Sequence, residues 1–208
     1  MLKKLLITFL LHVNFVRCYT NSMVIPEHCI IRRTIIYDTK MPTLYTKFNF
    51  NVKCIDNNKF LTAEHVYPQS LLNEHQSKDM HNIIKTLNTL NVNRSNYKYS
   101  DYIDIGDKNW KYLEHDNYVN HKHKLFVPNS ESRGFISRAI LYMCKEYNFK
   151  FTNIIEKPTL IKWYYTYCPT TDEIYHNNVV RYIQKNNNIF ISAYNKKNMA
   201  INKYIKKL

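Results

Sequence analysis

Residues 63 to 101, AEHVYPQSLLNEHQSKDMHNIIKTLNTLNVNRSNYKYSD, gather Glu64, His65, His75, Asp79, His81, Asn82, Asn91, Arg94 and Asn96 in a stretch without amphipathic periodicity. The adjacent pair Glu64 and His65 is the most informative. On a strand, neighbouring side chains point to opposite faces, so a carboxylate and an imidazole placed side by side serve different partners. One can hold a cation while the other takes a proton. An imidazole with an unperturbed pKa of about 6.5 accepts a proton from water near neutral pH. Hard divalent cations such as Mg²⁺ take oxygen ligands, keep several waters, and need few protein ligands where phosphate supplies the rest. Glu64 suits the first ligand and an asparagine carbonyl suits the second. Residue types alone do not say which asparagine.

The elements that must position these groups divide the chain. Segment Cys29 to Tyr37 is rich in Ile and Thr, Leu44 to Val52 alternates apolar with polar residues, and Phe60 to Val66 reads as a further short strand. Beyond residue 130 the period changes. Phe135, Ile136, Ala139, Ile140, Met143 and Tyr147 recur at spacings of three and four, which predicts a helix over Ser132 to Tyr147 with one buried face. Pro158 suits the first turn of a helix carrying Leu160, Ile161, Trp163 and Tyr164. Thr170, with Glu173 three residues on, has the spacing of a capping box and announces another. Strands followed by helices predict an α+β fold with a strand-rich N-terminal half and a helical C-terminal half.

The 208 residues carry 30 Lys plus Arg against 16 Asp plus Glu, a formal net charge of +14. That excess favours polyanionic partners through counterion release, with a solvated lysine-rich face as the plainer alternative. A hydrophobic fraction of 45% excludes a disordered polar chain, and two Gly exclude a collagen-like one. The start, MLKKLLITFLLHVNFVRC, sets Lys3 and Lys4 before an apolar run too short to span a bilayer. It reads as a secretory signal over residues 1–18, implying a secreted or lumenal protein with no stable membrane insertion; the alternative is a buried N-terminal strand or helix. Without internal repeats or a Gly/Ser linker, residues 19–208 read as one domain, expected to be a monomer. Cutting after Cys18 leaves Cys29, Cys54, Cys144 and Cys168. In an oxidising compartment these four can form two disulfides, and in a reducing one they would be buried free thiols. No pair has the CxxC spacing of a structural zinc site.

Several motifs in order give this chain a family resemblance. EHVYPQS, DMHN and NVNRSNY, then ESRGFISRAILYMCKEY, LIKWYYTYCPTTDEI and QKNNNIF, resemble the endonuclease I family of secreted, nonspecific nucleases with a ββα-metal core. The likeness runs from about residue 60 to 194. Asn91 lies nine residues beyond Asn82, and RSN begins three residues later, as in the family pattern. The resemblance implies that His65 is the general base and that Glu64 and Asn91 bind Mg²⁺ or a similar cation such as Mn²⁺ or Ca²⁺. It further implies cleavage of DNA, and of RNA as well, leaving 5′-phosphate and 3′-hydroxyl ends. His81 and Asn82 are candidates for aligning the site through hydrogen bonds, and Arg94 and Asn96 for contacting phosphate; a structural role is the alternative for each. The competing functional reading is an inactive cationic protein that binds nucleic acid.

The chain departs from the family pattern in two places. Thirteen residues separate His65 from Asp79 and none is Arg, whereas several bacterial members carry an arginine thought to stabilise the transition state in a long insertion there. Lys78, Lys85 and Arg94 are the candidates to replace it. In the last motif Lys185 and Ile189 stand where the family has Gly and Pro. His75, His115, His121 and His123 are expected at the surface. Arg133 and Arg138, five apart, do not share one helix side closely, which argues against a joint phosphate clamp without excluding it. Most of the 18 Tyr are expected to pack, with stacking on single-stranded bases as the alternative.

Overall fold

The computed structural model describes residues 41–46, 60–195 and 197–208. The signal segment expected over 1–18, the strand expected over 29–37, and Cys18, Cys29 and Cys54 lie outside the described residues. Of the strand expected over 44–52, Leu44 to Thr46 is described. There Leu44 forms an isolated parallel bridge with Thr86, and its amide donates to the Lys85 carbonyl at 2.9 Å.

Two short strands follow, built from apolar and β-branched residues that suit a pleated, half-buried surface. Strand β1 (Leu61–His65) pairs antiparallel with β2 (Ile83–Leu87), setting Glu64 opposite Ile84 and His65 opposite Ile83. Alternation divides the hairpin between two clusters. Ile84 enters the main core, whereas Ile83 joins Met80, Val180 and the partly buried Ala63, Val179 and Ile183. Helix α1 (Asn88–Arg94) leaves β2 without a loop and packs on both strands.

A second sheet is formed by β3 (Lys98–Tyr99), β4 (Trp110–Leu113), β5 (Asn117–Asn120) and β6 (Leu125–Val127), in the order β3-β6-β5-β4. Its β3–β6 pair is parallel and the other pairs are antiparallel. The chain then becomes helical: α2 (Ser130–Tyr147), α3 (Lys157–Thr166), α4 (Thr171–Gln184), α5 (Ile189–Ser192) and α6 (Met199–Lys207). The α+β reading holds, with six strands and six helices among the described residues.

Helix α2 begins two residues before the expected Ser132, because Asn129 caps it by accepting the Ser132 amide at 3.1 Å. It also has more than one buried face. Every residue from Phe135 to Cys144 is buried. Helices α3 and α5 pack on α2, and its remaining sides join a core that includes Val119 and Phe126 of the second sheet. Arg138 is therefore an interior residue; its guanidinium meets the buried Glu173 carboxylate at 2.5 and 2.6 Å. That pairing alters the expected capping box. Thr170 accepts the Glu173 amide at 3.1 Å, while the Glu173 side chain serves Arg138. Gly134 permits a close crossing here, since a Cβ at this position would lie 2.7 Å from the Cβ of Tyr167.

Lys185 stands at the C-cap of α4 with φ 66, the left-handed conformation in which glycine is favoured. Ile189 opens α5, a first-turn position where proline is well tolerated. Both positions thus have backbone conformations that Gly and Pro, the residues of the family motif, would suit. Cys144 is buried, Cys168 is exposed, and both are free, so neither supports the expected pair of disulfides. No helix among the described residues is long and apolar enough to cross a membrane.

Candidate active site

Glu64 and His65 end β1, and Asn91 sits in the middle of α1, so the hairpin and the helix that follows it carry all three groups. They line one cavity of about 310 Å³, together with Gln69, Ser70, Arg94 and Asn96. The convergence comes from chain geometry. Strand β2 brings the chain back antiparallel beside β1, and α1 then lies over both strands.

Glu64 is 2% exposed. The Tyr45 hydroxyl donates to its Oε1 at 2.8 Å, and Arg94 Nη1 stands 3.3 Å from the same oxygen. Burial pushes the Glu64 carboxyl above its ordinary range, with Arg94 and the Tyr45 hydroxyl pulling the other way. Burial first, then Glu64 and Tyr99, push the Tyr45 phenol well above its usual value, so Tyr45 keeps its proton and acts as donor.

Arg94 is almost wholly engaged by the protein. Nη1 donates to the carbonyls of His65 (3.2 Å) and Ser95 (3.0 Å), and Nη2 donates to that of Val66 (2.6 Å). The guanidinium also lies 4.7 Å from the centre of the Tyr99 ring. Only its Nε lacks a partner. Arg94 therefore balances the charge of Glu64 and fixes the backbone that carries His65.

The His65 Nε2 lies 2.9 Å from the Ser77 carbonyl oxygen. A carbonyl only accepts, so Nε2 carries the hydrogen, and the neutral ring has its basic lone pair on Nδ1. Asn91 donates through Nδ2 to the Ala63 carbonyl at 3.3 Å, which assigns the amide and leaves Oδ1 as its acceptor. A carboxylate and an amide oxygen on one cavity form a hard-oxygen donor pair, and that chemistry fits Mg²⁺, Mn²⁺ or Ca²⁺. Among the described residues there is no group of three or more His, Cys, Asp or Glu that could hold a metal. Glu64 and Asn91 could thus supply only a minimal oxygen pair, and a cation held there would take its other ligands from water or phosphate.

The remaining sequence candidates fall in different places. Asn82 accepts the Tyr67 amide at 2.7 Å and donates to the Tyr67 carbonyl at 3.0 Å, closing the base of the β1–β2 connection. The His81 ring packs 4.6 Å from Tyr142. Neither residue lines the cavity. Their neighbour Asp79 accepts the hydroxyls of Tyr142 and Tyr147, each at 2.7 Å, tying this connection to α2. Asn96 is exposed at the cavity. Of the cations considered, Lys78 is exposed and pairs with Glu74 at 2.6 Å, Lys85 is fully buried on β2, and Arg94 is held as described. Among the described residues no lysine lines the cavity. His75, His121 and His123 are exposed and His115 is half-buried.

Three contributors escaped the sequence reading. Tyr45 lay inside an alternating pattern that announced only a strand, and Tyr99 had no distinctive spacing. Ser77 acts through its main chain, so its residue type carried no signal.

The family model described as Endonuclease I matches residues 32–194, a range that includes every cavity residue named above. The chain is similar to Endonuclease-1 of Buchnera aphidicola subsp. Baizongia pistaciae (strain Bp), with 30% identity over 120 residues, 58% of this chain and 48% of that protein. The matched segment spans about half the length of this curated relative.

Proposed function

The chain belongs to the endonuclease I family, and from that premise we propose that it is a secreted, divalent-cation-dependent endonuclease that hydrolyses phosphodiester bonds of DNA and RNA without sequence preference. The observation that carries the proposal is the shared cavity of Glu64, His65 and Asn91. The β1–β2–α1 unit would be its ββα-metal core. The formal charge of +14 supports a polyanionic substrate held mainly through its phosphates.

His65 acts as general base. With its Nε2 hydrogen on the Ser77 carbonyl, Nδ1 takes a proton from water, and the resulting hydroxide forms a bond to phosphorus as the bond to the 3′ oxygen breaks. The departing 3′ oxygen takes a proton from solvent, so the products carry a 5′-phosphate and a 3′-hydroxyl. Glu64 and Asn91 would hold the cation, which when bound offsets negative charge building on the phosphate and the departing oxygen. Arg94 and Tyr45 fix the Glu64 carboxylate, and Arg94 keeps the strand end that bears His65 in register.

The alternative is a cationic protein that binds nucleic acid without cutting. It draws on the absence of a lysine from the cavity among the described residues and on the engagement of Arg94 with the protein. Incubation with plasmid and with RNA, with and without EDTA, beside His65→Ala separates the two readings. Cutting lost on chelation and in the variant is the expected result. A mobility shift without cutting by the unaltered protein would replace the enzyme with the binder.

A further inference from the structure

Tyr45 is not one of the three residues proposed to act on substrate or cation, yet its backbone is held in a conformation that few tyrosines adopt. Its φ is 64, in the left-handed region. For a residue with a bulky side chain this conformation is costly, and it persists where the surroundings over-determine it. Here the clamps are explicit. The Tyr45 amide donates to Ser132 Oγ at 2.8 Å, in the first turn of α2, and its carbonyl accepts from Asn117 Nδ2 at 2.7 Å, on β5. The ring is fully buried and meets Phe126 edge-on at 4.9 Å between centroids.

What this arrangement delivers is one hydroxyl on one carboxylate oxygen. Tyr45 Oη lies 2.8 Å from Glu64 Oε1 and 2.6 Å from the hydroxyl of Tyr99, itself buried and 3.4 Å from the Val66 carbonyl. With Tyr45 donating to the carboxylate, Tyr99 donates to Tyr45. Tyr45 and Arg94 Nη1 both reach Oε1 of Glu64, and the His65 amide adds a backbone hydrogen bond to the carboxylate. A buried carboxylate anchored in this way has lost the rotamer freedom that an exposed glutamate must give up on binding a cation.

We propose that Tyr45, backed by Tyr99, is a positioning residue that presets the Glu64 carboxylate for a divalent cation, coupling cation affinity to a segment outside the hairpin–helix unit. This rests on the metal-site reading given above. A residue that aims a ligand changes cation affinity by about 10- to 100-fold when removed. A residue that merely fills the core changes stability and leaves affinity alone.

The test uses the full chain and Mn²⁺, with binding followed by the loss of the free-ion EPR signal and cleavage followed against Mn²⁺ concentration. Tyr45→Phe keeps the ring and removes the hydroxyl. The expected result is a dissociation constant for Mn²⁺ raised about tenfold, with the cleavage rate at saturating Mn²⁺ within a few-fold of the unaltered protein. Tyr99→Phe should shift the curve in the same direction by a smaller factor, and it decides the matter if Tyr45→Phe does not fold. Phe126→Leu, which loosens the packing around Tyr45 without touching the hydroxyls, should lower the melting temperature and leave the Mn²⁺ curve in place. Curves that superpose for the unaltered protein and the folded hydroxyl variants overturn the positioning role. Unaltered protein that neither binds Mn²⁺ nor cuts with it overturns the metal site itself, a separate failure.

Discussion

Asn91 on α1 donates its Nδ2 to the main-chain carbonyl of Ala63 on β1, the residue immediately before Glu64, at 3.3 Å. One hydrogen bond thus orients the amide and joins the helix to the strand bearing the carboxylate.

Replacing Asn91 with alanine should separate these roles. Asn91 is half-buried and alanine is the better helix former, so the loss of stability should stay within about 1 kcal/mol. The cation concentration for half-maximal cleavage should rise by about tenfold or more, and Asn91→Asp should recover part of it by restoring an oxygen donor. A collapse of the melting temperature with unchanged cation dependence would make Asn91 structural.

A second prediction concerns acid. His176, buried on α4, has its pKa pushed down to about 4, chiefly by burial and next by the neighbouring His81. In the unfolded chain it titrates near 6.5, so between about pH 6.5 and 4 the unfolded state binds the extra proton. Stability is therefore full above that window and is lost as the pH falls through it, by about 3 kcal/mol for this residue. The pKa of His81 is lowered in the same direction, also chiefly by burial. Urea unfolding at pH 7, 5.5 and 4.5 should show the decline, and His176→Gln should flatten it. Equal slopes for the two proteins would remove His176 as the cause.

The third prediction is a gain. Lys185 caps α4 with φ 66, and its ammonium lies 4.7 Å from the centre of the Tyr182 ring. Glycine would relieve the left-handed strain but lose that contact and release more entropy on unfolding. The net for Lys185→Gly should be a stabilisation of about 0.5 kcal/mol, measured as a higher urea midpoint with unchanged slope. A lower midpoint would mean that the ring contact outweighs the strain.

Local signals in the sequence carried much of the architecture. Pro158 sits in the first turn of α3 and Thr170 caps α4 as their types and spacing indicate. The periodicity of α2 found the helix but understated its burial, because Ser137 and Arg138 are polar and fall outside the apolar pattern. Their interior position depends on Glu173, distant in sequence, and on helices packed on several sides. Glu64, His65 and Asn91 stood out by side-chain type and by the family's motif spacing, and the fold brings the three to one cavity. His81 and Asn82 were equally visible as polar residues, yet the fold uses Asn82 as a clamp on Tyr67. Polarity reports a capacity for hydrogen bonding, and only the tertiary arrangement decides which partner takes it.

The imidazole of His65 is steered by a peptide oxygen, that of Ser77, and every amino acid brings the same oxygen to that place. Point changes at position 77 are thus expected to keep the His65 contact wherever the loop holds its path without the Ser77 hydroxyl's bond to the Glu74 carbonyl. Adding or deleting one residue between 69 and 78 would slide a different carbonyl past the ring. Drift in this loop is therefore constrained in its length far more than in its spelling.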